Sequence, residues 1–260
     1  LGNNNDSPIL SVRNVRKYFG GIKAVDGISL DVAPRRITGL IGPNGAGKTT
    51  LFNVISGFYK PDSGEVLFKG ERIDGLSLHR TFQKGLCRTF QISRELKLMT
   101  VLENVMLPPP HQMGENLLKT WFLPSRVRQQ EREIREKALD ILDAVGLLHL
   151  KDEYAGNLSG GQKRLLELAR VMMADPDLIL LDEVGAGVNP SERRMLAEHI
   201  RRLVHEEGKT VFLIGHEMEL VMDVCDPVIV MDRGKKLAEG SPEEIRNDPR
   251  VLEVYLGGEV

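Results

Sequence analysis

Gly42-Pro43-Asn44-Gly45-Ala46-Gly47-Lys48-Thr49-Thr50 is the stretch that decides the fold. It fits the pattern G-x-x-x-x-G-K-[ST], and its flanks matter as much as its letters. On its N-terminal side Ile37 to Ile41 is a short apolar run that reads as a strand. From Thr49 to Ser56 the chain has helical character. A glycine-rich turn between strand and helix is built to hold phosphate. Glycines let successive backbone N–H groups converge on phosphate oxygens, and the helix N-terminus adds its positive dipole end. Asn44, Gly45, Ala46, Gly47, Lys48, Thr49 and Thr50 are therefore candidate binding residues. Lys48 is expected to reach the β- and γ-phosphates of a nucleotide, and the Thr49 hydroxyl to ligate Mg²⁺.

A second site stands further along. Leu178-Ile179-Leu180-Leu181 is wholly apolar, as a strand buried on both faces requires, and it ends in Asp182-Glu183. Two acids at the end of a buried strand are costly unless a cation or solvent meets them. In open α/β sheets ligands bind outside the carboxyl ends of the strands, the edge where the glycine-rich loop lies. Asp182 is thus the expected Mg²⁺ anchor, through water, and Glu183 is placed to polarise an attacking water. A helix-capping turn is the plainer alternative for the pair taken alone.

Around these sites the chain alternates. Residues 9–15 and 22–33 read as strands, with Pro34 at the turn, and 64–69 as another after Pro61-Asp62-Ser63-Gly64. From about 92 to 157 the character changes. Pro108-Pro109-Pro110 breaks any regular element. Residues 130–145 then set Ile134, Ala138, Ile141, Leu142 and Val145 on one helical face, with Glu133 and Lys137 as an i,i+4 pair on the other. A charged helix over 191–206, the strand Thr210–Ile214, a short helix and the strand Val228–Met231 complete a β-α-β succession. That succession implies a parallel sheet with right-handed crossovers.

Composition narrows the class. Of 260 residues 41% are apolar and 28% charged, and the formal net charge is −2, so a packed globular core is expected. Basic pairs such as Arg35-Arg36 and Arg201-Arg202 are scattered, which points to solvated faces and away from nucleic acid. Cys87 and Cys225 have no metal-ligand spacing and suit a reduced cytosolic setting. Apolar runs are far shorter than the about 20 residues a membrane-spanning helix needs. Residues 1–8 lack a basic and apolar signal and read as an unstructured tail or an expression remnant.

Leu158-Ser159-Gly160-Gly161-Gln162 opens a predicted helix whose apolar face is Leu165, Leu166, Leu168, Ala169 and Met172. Ser159 has a simple reading as an N-cap. In company with the glycine-rich loop and the Asp-Glu pair, however, the stretch resembles the signature motif of ABC transporter ATPases. Walker A, Gln91, the signature, Walker B and His216 occur in that family's order from Ile9 onward. The resemblance implies an α/β fold: a P-loop NTPase core with a mostly parallel sheet, an N-terminal antiparallel β region and an inserted helical subdomain. The core is expected over 9–91 and 175–260, the helical subdomain over 92–174.

The resemblance also implies a mechanism. Two copies sandwich two ATP molecules, so that each γ-phosphate meets Lys48 of one subunit and Ser159, Gly160 and Gly161 of the other. Gln91 is the Q-loop residue that touches Mg²⁺ or the attacking water, with Gln83 of the duplicated Arg-Thr-Phe-Gln as its competitor. His216 is the switch histidine at the γ-phosphate. Phe19, before Gly20, stacks on adenine, with Tyr18 as the competitor, and Val25 packs against the sugar. Two positions depart from the pattern. Val184 replaces the usual proline after Asp-Glu, which alters turn rigidity more than chemistry. Asn189 in Ala186-Gly187-Val188-Asn189-Pro190 lacks the charge of the usual dimer-contact loop.

The loop after Gln91, the lengthened 107–130 insert and the ending Glu243-Glu244-Ile245 … Tyr255-Leu256-Gly257 resemble one subfamily. It is the ATP-binding subunit of importers for leucine, isoleucine and valine. That implies a second ATPase subunit, identical or not, membrane permeases and, indirectly, an external binding protein. The chain would then sit on the cytoplasmic face of the membrane. Relatives that carry urea, amides or aromatic acids share the pattern. Non-transport ABC-type ATPases are the rival class, and they usually hold two motif sets or a long coiled-coil insert. A GTPase switch needs an Asn-Lys-x-Asp motif that does not occur here.

Overall fold

The computed structural model describes residues 7–89, 95–110, 112–115, 117–182, 190–215 and 218–256, with backbone alone at 115, 117–119, 190–192 and 256. Residues 1–6 of the expected tail lie outside the described residues. In chain order the strands are β1 (Leu10–Phe19), β2 (Ile22–Val32), β3 (Ile37–Ile41), β4 (Ser63–Phe68), β5 (Glu71–Arg72), β6 (Leu86–Arg88), β7 (Leu178–Asp182), β8 (Thr210–Ile214), β9 (Val228–Asp232) and β10 (Lys235–Gly240). The helices are α1 (Lys48–Ile55), α2 (Leu78–Gln83), α3 (Val101–Met106), α4 (Leu117–Phe122), α5 (Pro124–Ala144), α6 (Gly160–Ala174), α7 (Pro190–His205), α8 (Met218–Val224), α9 (Pro242–Asn247) and α10 (Pro249–Leu256). They fall into two compact units, one of Leu1–Arg88, Asp177–Ala186 and Arg193–Val260, the other of Thr89–Pro176 and Gly187–Glu192.

The first unit is α/β. Its larger sheet has the order β10-β9-β3-β8-β7-β6. The neighbours from β9 to β6 all run parallel, and only β10 is antiparallel. β3, β7 and β8 are buried at every position, which explains why their sequences are mostly apolar rather than alternating, with Thr38, Asp182 and Thr210 as their buried polar residues. Register then sets the site. Leu40 and Asp182 both pair with Ile214. The ends of β3 and β7 are therefore level, two strand spacings or about 10 Å apart. A second sheet, β2-β1-β4-β5, is antiparallel. Its inward residues Leu10, Val12 and Val66 share one core with Phe52 of α1 and Phe212 of β8, whose rings lie 4.9 Å apart.

The second unit is helical. Val101, Leu102 and Val105 of α3 pack with Ala138, Ile141 and Leu142 of α5 and with Leu165, Leu166 and Ala169 of α6. Helix α5 starts earlier than the apolar periodicity announces, at Pro124, where a missing N–H costs nothing. Its first turns are charged, so no stripe marks them. The expected Glu133–Lys137 pair does not form. Glu133 accepts instead from Gln129 Nε2 at 3.0 Å, and Lys137 lies 4.0 Å from Asp175.

Candidate functional site

The loop between β3 and α1 is shaped by its glycines. Gly42 and Gly47 have φ of 152° and 100°, and a Cβ would fall 2.1 Å from the Met231 carbonyl oxygen at the first and 2.0 Å from the Ala24 carbonyl oxygen at the second. Only hydrogen fits there. The loop is braced from β9–β10, where Gly234 N donates to the Ala46 carbonyl at 2.9 Å. Ala46 is buried, while Asn44 and Gly45 are exposed and Thr49 and Thr50 half-buried. Helix α1 begins after Gly47 with no side-chain cap and no acid in its first turn. By contrast α3, α6 and α9 each carry a capping box. An uncapped N-terminus keeps its N–H groups and dipole available to an anion.

Lys48 is 4% exposed. Its Nζ donates to the Gly42 carbonyl at 2.7 Å and to the Pro43 carbonyl at 3.0 Å. Tyr255 of α10 meets the same loop: the Gly42 main chain hydrogen-bonds its phenol, while burial pushes the pKa up to about 12. Asp182 is fully buried at the end of β7. Arg88 Nη2 donates to its Oδ2 at 2.7 Å. The sequence singled out neither Arg88 nor Tyr255. Arg88 only opens the second copy of Arg-Thr-Phe-Gln, and Tyr255 belongs only to the C-terminal pattern.

Phe19 is 41% exposed and meets Tyr59 edge-on at 5.2 Å, with Lys17 Nζ 5.5 Å from its centroid. Tyr18, its competitor, is tied down: the hydroxyl donates to Asp26 at 2.6 Å and the backbone N–H to Asp62 at 2.6 Å. The hydroxyl bond from Tyr18 holds the Asp26 carboxyl below its ordinary range and, in turn, raises the phenol. Val25 is 0% exposed and belongs to the core. β2 does not alternate regularly here, since the buried Val25 and Ile28 are three positions apart and the pairing with β1 shifts register between them.

In the second unit Ser159 and Gly160 are exposed at the start of α6, and Gly161 is buried. Ser159 Oγ accepts the Gln162 N–H at 3.2 Å, and Gln162 Oε1 accepts the Ser159 N–H at 2.9 Å. The N-cap reading is therefore realised. It leaves the hydroxyl proton available, since a serine oxygen both accepts and donates. Gln83 ends α2 and is exposed. Gln91, Glu183, His216, Val184 and Asn189 lie outside the described residues.

A family model described as ABC transporter matches residues 25–186, more than half of the chain. This chain belongs to the ABC transporter family. It is the family's ATP-binding subunit, an ATPase of P-loop NTPase fold. A further model, described as branched-chain amino acid ATP-binding cassette transporter, matches residues 235–260. Similar curated relatives include the high-affinity branched-chain amino acid transport ATP-binding protein BraF of Pseudomonas aeruginosa, 43% identical, with 96% of this chain and 98% of the relative aligned. LivG of Escherichia coli, with the same description, is 40% identical over the same shares. A solved structure described as the ADP conformation of an ATP-binding cassette of an ABC transporter is 38% identical with a TM-score of 0.81, covering 96% of this chain and 99% of that one. Among the described residues of this ABC ATPase no helix is long and apolar enough to cross a membrane.

Proposed function

We propose that this ABC ATPase binds and hydrolyses Mg²⁺-ATP between two ATPase subunits on the cytoplasmic face of the membrane and so powers uptake of branched-chain amino acids through permeases. The observation that carries the nucleotide half is the buried Lys48 ammonium beside an uncapped helix N-terminus. A cation in that position needs acceptors in every state. Phosphate oxygens would take over from the Gly42 and Pro43 carbonyls. The substrate half is supported by near full-length similarity to importer subunits of that description.

The first unit is the catalytic core and the helical unit carries the signature. Phe19 offers its exposed ring to adenine, and the N–H groups from Gly45 to Thr50 receive the phosphates. Ser159, Gly160 and Gly161 of the second copy donate to the γ-phosphate, with the Ser159 oxygen still capping its own helix. Glu183 polarises the attacking water, and His216 and Gln91 hold the arrangement at the γ-phosphate. Thr49 and Asp182 are hard oxygen donors, few in number, the set that suits Mg²⁺ completed by phosphate and water. Bound there, Mg²⁺ supplies neutralisation of charge on the transferring phosphoryl group.

Reconstitution tests this. The subunit is co-purified with its permeases, placed in liposomes with the binding protein, and supplied with ATP. Uptake of leucine, isoleucine or valine is the expected result. Uptake of urea, amides or aromatic acids alone moves the substrate assignment to those classes, and tighter competition by GTP than by ATP overturns the nucleotide assignment.

A further inference from the structure

Arg88 closes β6, immediately before Thr89-Phe90-Gln91. Its guanidinium joins three side chains. Nη2 donates to Asp182 Oδ2 at 2.7 Å, and Nη1 donates to Asn53 Oδ1 at 2.6 Å and to Ser56 Oγ at 3.2 Å. The pair is deeply buried, with Arg88 7% and Asp182 0% exposed. Asn53 belongs to α1 and Ser56 is its C-cap. One buried cation therefore ties the strand end that carries the acid to the helix that begins with Lys48 and Thr49.

From this geometry we infer that Arg88 is a positioning residue for the metal half of the site. It holds the Asp182 carboxylate at a set place relative to α1, and so sets the affinity for the divalent cation that Asp182 and Thr49 share. The inference rests on the role proposed above for Asp182 and adds a residue that does not itself touch the ion. Arginine is suited to the task because its planar fork reaches a carboxylate with one arm and α1 with the other. A lysine ammonium is a single point on a flexible stem and cannot reproduce both bonds. A pair present only to neutralise buried charge would be satisfied by any cation.

The test is Mn²⁺ binding to the whole chain with a non-hydrolysable ATP analogue, followed by electron paramagnetic resonance of the free ion. Analogue affinity is measured separately in EDTA. Arg88→Lys is expected to weaken Mn²⁺ by about tenfold or more, the usual effect of losing a partner that orients a metal ligand, with metal-free analogue affinity changed less than about twofold. Asn53→Ala removes the α1 anchor and keeps the buried ion pair. It should shift Mn²⁺ in the same direction by less, and it decides the matter if Arg88→Lys does not fold. Wild-type Mn²⁺ affinity in the folded variants overturns the inference while leaving Asp182 in place. Asp182→Asn is the control. If that variant also binds Mn²⁺ normally, the metal role of Asp182 is what fails, and the strut falls with it.

Discussion

Lys48 and Gly42 are joined by a 2.7 Å hydrogen bond from ammonium to carbonyl, inside the loop proposed to hold phosphate. The lysine is thus folded back on the main chain of its own loop. In the proposed bound state phosphate oxygens would replace these carbonyl acceptors, so that the buried charge is never left bare.

Lys48→Ala follows from that bond. In the proposed bound state the ammonium trades neutral carbonyls for phosphate anions, and that gain, about 1.5–3 kcal/mol for each of two contacts, is lost with the side chain. ATP affinity is expected to fall more than about a hundredfold, since every 1.4 kcal/mol is a factor of ten. Equilibrium titration with a fluorescent ATP analogue measures it. A normal dissociation constant contradicts the role of the loop.

Two glycines separate strain from crowding. Gly45 has φ 80° and open space where a Cβ would stand, whereas Gly47 has φ 100° and the Ala24 carbonyl oxygen 2.0 Å from that place. Gly45→Ala is expected to cost about 1–2 kcal/mol, the penalty of the left-handed region alone. Gly47→Ala should cost several times as much and empty the nucleotide site. Denaturant unfolding of both variants gives the comparison, and equal losses would mean that the close approach to Ala24 is easily relaxed.

Ser159→Ala removes a helix cap, worth about 1 kcal/mol of stability. Hydrolysis should fall by far more than that loss of stability explains, because the donor proposed to reach the neighbouring copy's phosphate goes with it. Steady-state ATPase assays beside thermal unfolding distinguish the two effects. Full activity in a strictly monomeric Ser159→Ala protein would end the two-copy mechanism.

Glu183→Gln keeps the shape of the residue and removes its basicity. Binding of ATP should persist while turnover drops by about 10²–10⁴, the range for losing a general base. An ATP-bound dimer should accumulate, visible by light scattering after gel filtration. Undiminished hydrolysis would take Glu183 out of the mechanism.

Tyr255 predicts an alkaline signature. Its folded pKa is about 12, above the ordinary value of about 10. Below that ordinary value the phenol is neutral in both states and contributes nothing to pH dependence. As pH rises from about 10 to 12 the unfolded chain loses the proton and the folded chain keeps it, so stability falls. Tyr18, also raised, acts in the same direction. Tyr255→Phe should flatten part of the decline in urea midpoint across that range. An unchanged slope would show that the phenol ionises freely in the folded protein.

Much of this fold could be read locally. β3, β7, β8 and β9 coincide with mostly apolar runs because a sheet covered on both faces buries both sides of the strand, and their polar residues are few: Thr38, Asp182, Thr210 and Asp232. The loop from Gly42 to Thr50 was legible for a similar reason: its chemistry is packed into consecutive residues. β6 was not, since three residues give no periodicity, and neither was the early part of α5, where a solvent-facing run carries no stripe.

What the sequence determined alone was the list of chemical parts and their order: a phosphate loop, an acid pair ending a buried strand, and a serine-glycine helix start. What only the tertiary structure decided was which distant groups share a charge. Arg88 and Asp182 are 94 positions apart, and parallel pairing of β6 with β7 brings them together. Gly42 and Tyr255 meet only once α10 has folded back on the loop. Such pairs depend on strand order and register, which are set by how whole faces bury apolar surface, and no local pattern of residues encodes them.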